Sequence, residues 1–176
     1  MKLKFLACLA TIMVIASCSP DDEPEYSPIP ELTFKEYEFF REDENGVLTD
    51  YYLIRFEYID GDGDIGGMDN VQVPNEDSIE HTVFVDYFER SNTGVFKRNA
   101  CALGADTTTK KYKIPTITPP GNNKAIRGEI EVKVLPCPVP FDTVKTIKYS
   151  MFIYDRALNK SNVVESPEIT YETQIR

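Results

Sequence analysis

The chain has 176 residues, with 19 Lys and Arg against 29 Asp and Glu, giving a formal net charge of −10. A surface of that sign repels phosphate backbones and anionic headgroups, which argues against nucleic acid as a partner and against electrostatic attachment to membranes. Hydrophobic residues make up 41%, enough apolar material for one domain with its own core.

Residues 1–17 place Lys2 and Lys4 ahead of an apolar run, Phe5 to Val14, that is too short to span a bilayer. Ile15-Ala16-Ser17-Cys18 closes the run and resembles the lipobox of bacterial lipoproteins. That resemblance implies a signal peptide over 1–17, cleavage before Cys18, and acyl chains on the sulfur and amino group of Cys18. The plainer readings are an ordinary secretory leader with a chance cysteine, or a core helix. The leader carries two lysines and no acid, so its removal moves the charge to −12. Several acyl chains hold a protein at a membrane where a single chain does not.

After Cys18, residues 19–31 contain four prolines and five acids and offer almost nothing to bury. Such a segment extends by about 3 Å per residue, so 18–31 reads as a lipidated tether reaching roughly 40 Å. It can be a simple spacer. Asp21-Asp22-Glu23 also resembles the export signal of surface lipoproteins in Bacteroidetes, which implies the outer membrane and its outer face. Ser19 is not the aspartate associated with inner-membrane retention.

From Leu32 to Arg176 the periodicity is two. Ile54, Phe56 and Tyr58 share one face of 51–59, while Arg55 and Glu57 share the other. Segments 129–134 and 168–172 alternate in the same way, and 33–41, 82–90, 94–98, 111–118 and 146–155 are further strand candidates. Asn92-Thr93-Gly94 and Pro119-Pro120-Gly121-Asn122 read as turns. No window carries a capped helical stripe. Seven or eight short antiparallel strands predict an immunoglobulin-like β-sandwich over 32–176, with a barrel as the alternative. The antibody pattern itself is missing, because there is no Trp and the cysteines do not lie in facing inner strands.

Cys8 leaves with the leader and Cys18 takes the lipid, so Cys101 and Cys137 remain in an oxidising compartment. A bridge between them closes a loop of about 37 residues and stabilises by roughly 4 kcal/mol in the chain-entropy description.

Asp60-Gly61-Asp62-Gly63-Asp64-Ile65-Gly66-Gly67 sets three carboxylates at alternate positions with glycines between them. The glycines let the backbone turn tightly and aim oxygens at one point, as a hard cation such as calcium requires. It is not an EF-hand, since Ile65 stands at the sixth position and Val71 at the twelfth. Asp69 adds charge nearby. In an immunoglobulin-like order, 51–59 is strand B and 146–155 is strand F, and the loops after them share a pole. Asp155 and Asn159 then complete the shell begun by Asp60, Asp62 and Asp64. In the plainer reading the acidic run is a solvated turn, Asp155 caps another, and Arg156 pairs with a nearby acid.

Together with the lipobox, three segments resemble a family of Bacteroidetes outer-membrane lipoproteins with an immunoglobulin-like domain. They are Phe56-Glu57-Tyr58-Ile59 running into the acidic loop, 119–132, and Asp155 to Asn162. The resemblance implies location and fold, and no activity.

The residues offer little to catalysis. His81 is the only histidine, and there is no nucleophile elbow and no glycine loop leading into a helix. The acids of 60–64 are too uniform to separate a general acid from a base. The reading is therefore a non-catalytic surface module for a glycan, peptide or protein partner. The alternative is a structural subunit of an envelope complex.

Overall fold

The computed structural model describes residues 26–67, 82–99, 109–119, 124–137 and 144–172. Among them are nine strands and no helix: β1 (Glu31–Glu44), β2 (Val47–Asp60), β3 (Val83–Arg90), β4 (Phe96–Arg98), β5 (Thr109–Tyr112), β6 (Ile126–Val134), β7 (Val144–Ile153), β8 (Val164–Glu165) and β9 (Ile169–Glu172).

Side-chain alternation sets which face of each strand is buried. Tyr52, Ile54, Phe56 and Tyr58 of β2 are buried, and the residues between them are half-exposed. In β6, Ile130, Val132 and Val134 are buried between exposed Glu129, Glu131 and Lys133. Such strands need a second apolar layer, and two antiparallel sheets provide it. In one sheet β2 lies between β1 and β6. In the other, β7 pairs β3 on one edge and β8 and β9 on the opposite edge, while β4 and β5 pair the far edge of β3. The order β1-β2-β6 against β3-β7-β9 is the A-B-E against C-F-G arrangement of immunoglobulin-like sandwiches. Seven or eight expected strands become nine because two edge rows are each interrupted, between β4 and β5 and between β8 and β9.

Phe56, Ile54 and Val134 from the first sheet meet Val85, Ile147 and Met151 from the second. Each such side chain contributes about 1.5–3 kcal/mol on burial. At one end the core becomes aromatic, with Tyr52 6.1 Å from Tyr171 and Tyr87 5.6 Å from Tyr149, both edge-on.

Three expectations need correction. The segment 111–118 is strand only to Tyr112, and 113–119 leaves the sheet. Pro115 and Pro119 lack the N–H that a ladder requires. The stretch instead lies along the acidic loop, where Gly67 N donates to Ile114 O at 2.9 Å. Second, β8 carried no sequence signal, being only two residues long. Third, the tether's described part is not a free spacer: Pro30 is buried and Ser27 O accepts from Gly61 N at 2.8 Å. The turn at 92–94 forms as the sequence indicates, with Gly94 at φ +81° and its N–H on Ser91 O. The leader, Cys18, Asp21-Asp22-Glu23 and 120–123 lie outside the described residues.

Candidate metal centre

β2 ends at Asp60, and the chain then passes through Gly61–Gly67 across the end of the sandwich. Ile65 is fully buried in the core, which pins the loop by its middle. Its backbone forms a β-bridge with Asp155, just past the end of β7, and Arg156 N donates to Asp64 O at 3.2 Å. The loops after strands B and F therefore share one pole, as the strand order requires.

The glycines do more than turn the chain. Gly63 (φ +64°) sits so close to the Lys124 carbonyl that a Cβ there would collide with it, and Gly66 (φ +83°) stands in the same relation to the Pro115 carbonyl. Only glycine combines that positive φ with such close approach. Arg156, paired with an acid in the plainer sequence reading, latches the loop, with Nη1 donating to Gly66 O at 3.2 Å and Nη2 to Thr118 Oγ1 at 2.6 Å, and its charge also favours ionised Asp64.

Four carboxylates converge inside this frame. Asp60, Asp62, Asp64 and Asp155 each contribute an oxygen, and these four oxygens all lie within 4.8 Å of one another. Asp60 and Asp155 are completely buried. Asp60 Oδ2 accepts from Asp64 N at 3.0 Å, and Asp64 Oδ2 accepts from Ala157 N at 3.1 Å. Asp155 accepts from Asn159 N at 2.7 Å and from Asn159 Nδ2 at 2.8 Å. Asn159 is thus set behind Asp155 and orients it. Asp69 lies outside the described residues.

One oxygen of each loop acid is left over. Asp60 Oδ1, Asp62 Oδ1 and Asp64 Oδ1 are buried and accept no hydrogen bond from the described residues. Burying an acceptor without a partner is costly, and more so when it carries charge. Burial is the main reason the Asp60 carboxyl is pushed up to about 7, and Asp62 and Asp64 add to the rise. Asp64 is raised by burial and then by Asp155 and Asp62, and Asp155 by burial and then by Asp62. Arg156 near Asp64 and Asn159 on Asp155 offset these rises only in part. A dense cage of hard oxygens is the donor set of calcium, which takes six to eight oxygens in flexible geometry.

The other sequence candidates separate. Cys137 is buried against the core and engaged in a disulfide, while Cys101 lies outside the described residues, as does His81. Sequence reading missed Asn162, whose Oδ1 accepts from Leu32 N at 2.7 Å and whose Nδ2 donates to Leu32 O at 2.9 Å, tying the F–G side to β1. The available signal was a run of short polar side chains after a strand, the residues that compete for backbone groups.

A family model described as "Tumour necrosis factor receptor, SECRET domain" matches residues 1–118 of the chain. No curated protein and no solved structure matches the chain.

Proposed function

The chain belongs to the tumour necrosis factor receptor SECRET-domain family, and from that premise we propose that it is a non-catalytic interaction module, stabilised by calcium and held at the outer membrane by lipid on Cys18. The observation that carries the calcium reading is the convergence of four carboxylates with three buried, unpartnered oxygens. Asp60, Asp62, Asp64 and Asp155 supply the ligands and Asn159 orients Asp155. Bound calcium neutralises the pole and locks the loops after strands B and F together. Those loops are at the end of the sandwich where variable domains carry their binding loops. The lipobox and the acidic tether support the anchor and the outward orientation, in keeping with the resemblance to Bacteroidetes lipoproteins. The partner is a protein, with a surface glycan or a peptide as the alternatives. A Cys101–Cys137 bridge completes the exported domain.

Calorimetric titration of calcium into the chain tests the metal reading, with magnesium as the control because its tight octahedral demand suits this loop poorly. Saturable calcium heat that disappears in Asp60→Asn supports it, and the absence of heat for the wild type sinks it. Fractionation of cells bearing Cys18→Ala tests the anchor. The variant should leave the membrane, and unchanged partition overturns the lipid reading.

A further inference from the structure

We infer that the far end of the β1–β2 hairpin is a docking arm for a protein partner that presents basic residues around an apolar patch. This rests on the interaction-module reading and assigns it a surface and a partner chemistry. β6 pairs β2 only from Tyr52 to Asp60, whereas β1 stays paired with β2 out to Glu44 opposite Val47. The last turn-ward residues of the hairpin therefore stand past the edge of their sheet. Asp60 and Val47 end the same strand, about 40 Å apart at the usual rise of a strand, so the arm is remote from the carboxylate pole.

Apolar exposure concentrates on this arm. Val47 and Leu48, in the overhang, are 64% and 60% exposed, and Tyr37 and Phe39, opposite Ile54 and Tyr52 at its base, are 38% and 47% exposed. Exposed aromatic and aliphatic groups on a protruding strand pair are an aggregation liability unless charge protects them or a partner covers them. Residues 36–51 hold six acids and one arginine; Glu36 and Glu38 pair with Arg55, Glu42 with Lys133 and Asp50 with Arg41, so the uncompensated negative charge sits at the tip of the arm. Asp43 and Glu44, beside the turn, take hydrogen bonds from Gly46 N and from Tyr51 Oη but no ion pair among the described residues. That field repels a second copy of the same arm and an anionic membrane, and it selects a basic surface.

The arm is also built to be stiff. Phe40 stacks on Tyr51 (5.5 Å, 22°), with Lys133 Nζ 3.8 Å from the Tyr51 ring centroid. On the opposite face Phe39 packs on Tyr52 at 5.4 Å, and Arg41 pairs with Asp50 across the ladder. Asn45 (φ +57°) and Gly46 (φ +86°) close the turn in the left-handed geometry that two-residue hairpins prefer. A preordered arm loses little conformational entropy on binding.

The test is fluorescence anisotropy of a short labelled peptide of alternating lysine and leucine, titrated with the full chain at physiological salt, beside a glutamate–leucine control. The wild type should bind the lysine peptide and ignore the control. Phe39→Ser with Leu48→Ser should weaken binding about tenfold or more while strand content by circular dichroism and the calcium response stay unchanged and the melt falls by only a few degrees from the lost Phe39–Tyr52 contact, and Phe39→Leu should retain binding. Asp62→Asn should leave peptide binding intact. Equal binding by wild type and the double variant overturns the arm while leaving an interaction module elsewhere on the molecule. Absence of peptide binding by the wild type, or equal binding of the control, overturns the basic-partner assignment. Self-association in sedimentation that disappears with Phe39→Ser gives the surface to a second copy and likewise overturns it.

Discussion

Replacing both Asp62 and Asp64 by asparagine should change stability in opposite directions with and without calcium. Oxygens within 4.8 Å of one another bear charges that repel by about 3.5 kcal/mol per pair at an effective dielectric near 20. Part of that cost is already relieved, because the Asp60 carboxyl pushed up to about 7 holds a proton much of the time at neutral pH. Water reaching half-buried Asp62 and Asp64 relieves more. A net gain of about 1–3 kcal/mol for the double variant in EDTA is what remains. Asparagine oxygen can still accept from Ala157 N, so the loop keeps its shape. With calcium at a hundred times its Kd, the wild type gains about 2.7 kcal/mol and the variant little. At roughly 2–4 °C per kcal/mol in a domain of this size, the wild type should melt several degrees below the variant in EDTA and draw level with it or overtake it in calcium. Scanning calorimetry of both proteins under both conditions makes the comparison. If the variant is the less stable one in EDTA, the carboxylates do not repel as argued. If calcium moves neither melt, the cluster is an acidic turn.

Ile65→Ala should cost about 2–4 kcal/mol, the range for truncating a buried aliphatic side chain, and a urea midpoint shift with unchanged slope would register it; a change near zero would mean that the loop is not pinned through Ile65. In EDTA, stability should be highest at acid pH and fall as pH rises from about 4 through 7. The sign follows because the native state holds the Asp60 proton up to about 7, against 3.8 ordinarily, so the unfolded chain binds fewer protons across that window; calcium should flatten this dependence, and urea titrations at several pH values would show a rise instead if the assignment is wrong. Alkylation without reduction followed by mass spectrometry should find no free thiol at Cys101 or Cys137, and two labelled cysteines would refute the bridge. Asn162→Ala should lower the melting temperature by a few degrees, since Leu32 N and O lose their partners at the sandwich seam.

Much of this architecture was written in the local pattern of the chain. Alternation at Tyr52–Tyr58 and Ile130–Val134 determines which side chains face inward, because a strand's side chains change face at every residue. The Asp60–Gly67 spacing likewise announced a turn rich in carboxylates. Sequence could not bring Asp155 to that turn except through an assumed strand order, and the sandwich itself supplies the juxtaposition by placing the ends of β2 and β7 at one pole. Ile65 looked like a departure from a calcium-loop pattern, yet burial makes it the loop's anchor. The glycines read as turn formers, and only packing revealed that the Lys124 and Pro115 carbonyls occupy the space a side chain would need. Phe39 and Leu48 look like ordinary strand residues in a chain where alternation means burial. Leu48 is exposed where β2 runs on past β6, whose pairing begins at Tyr52, and Phe39 is exposed on the edge strand β1; where neighbouring strands stop is a long-range fact that no local pattern encodes.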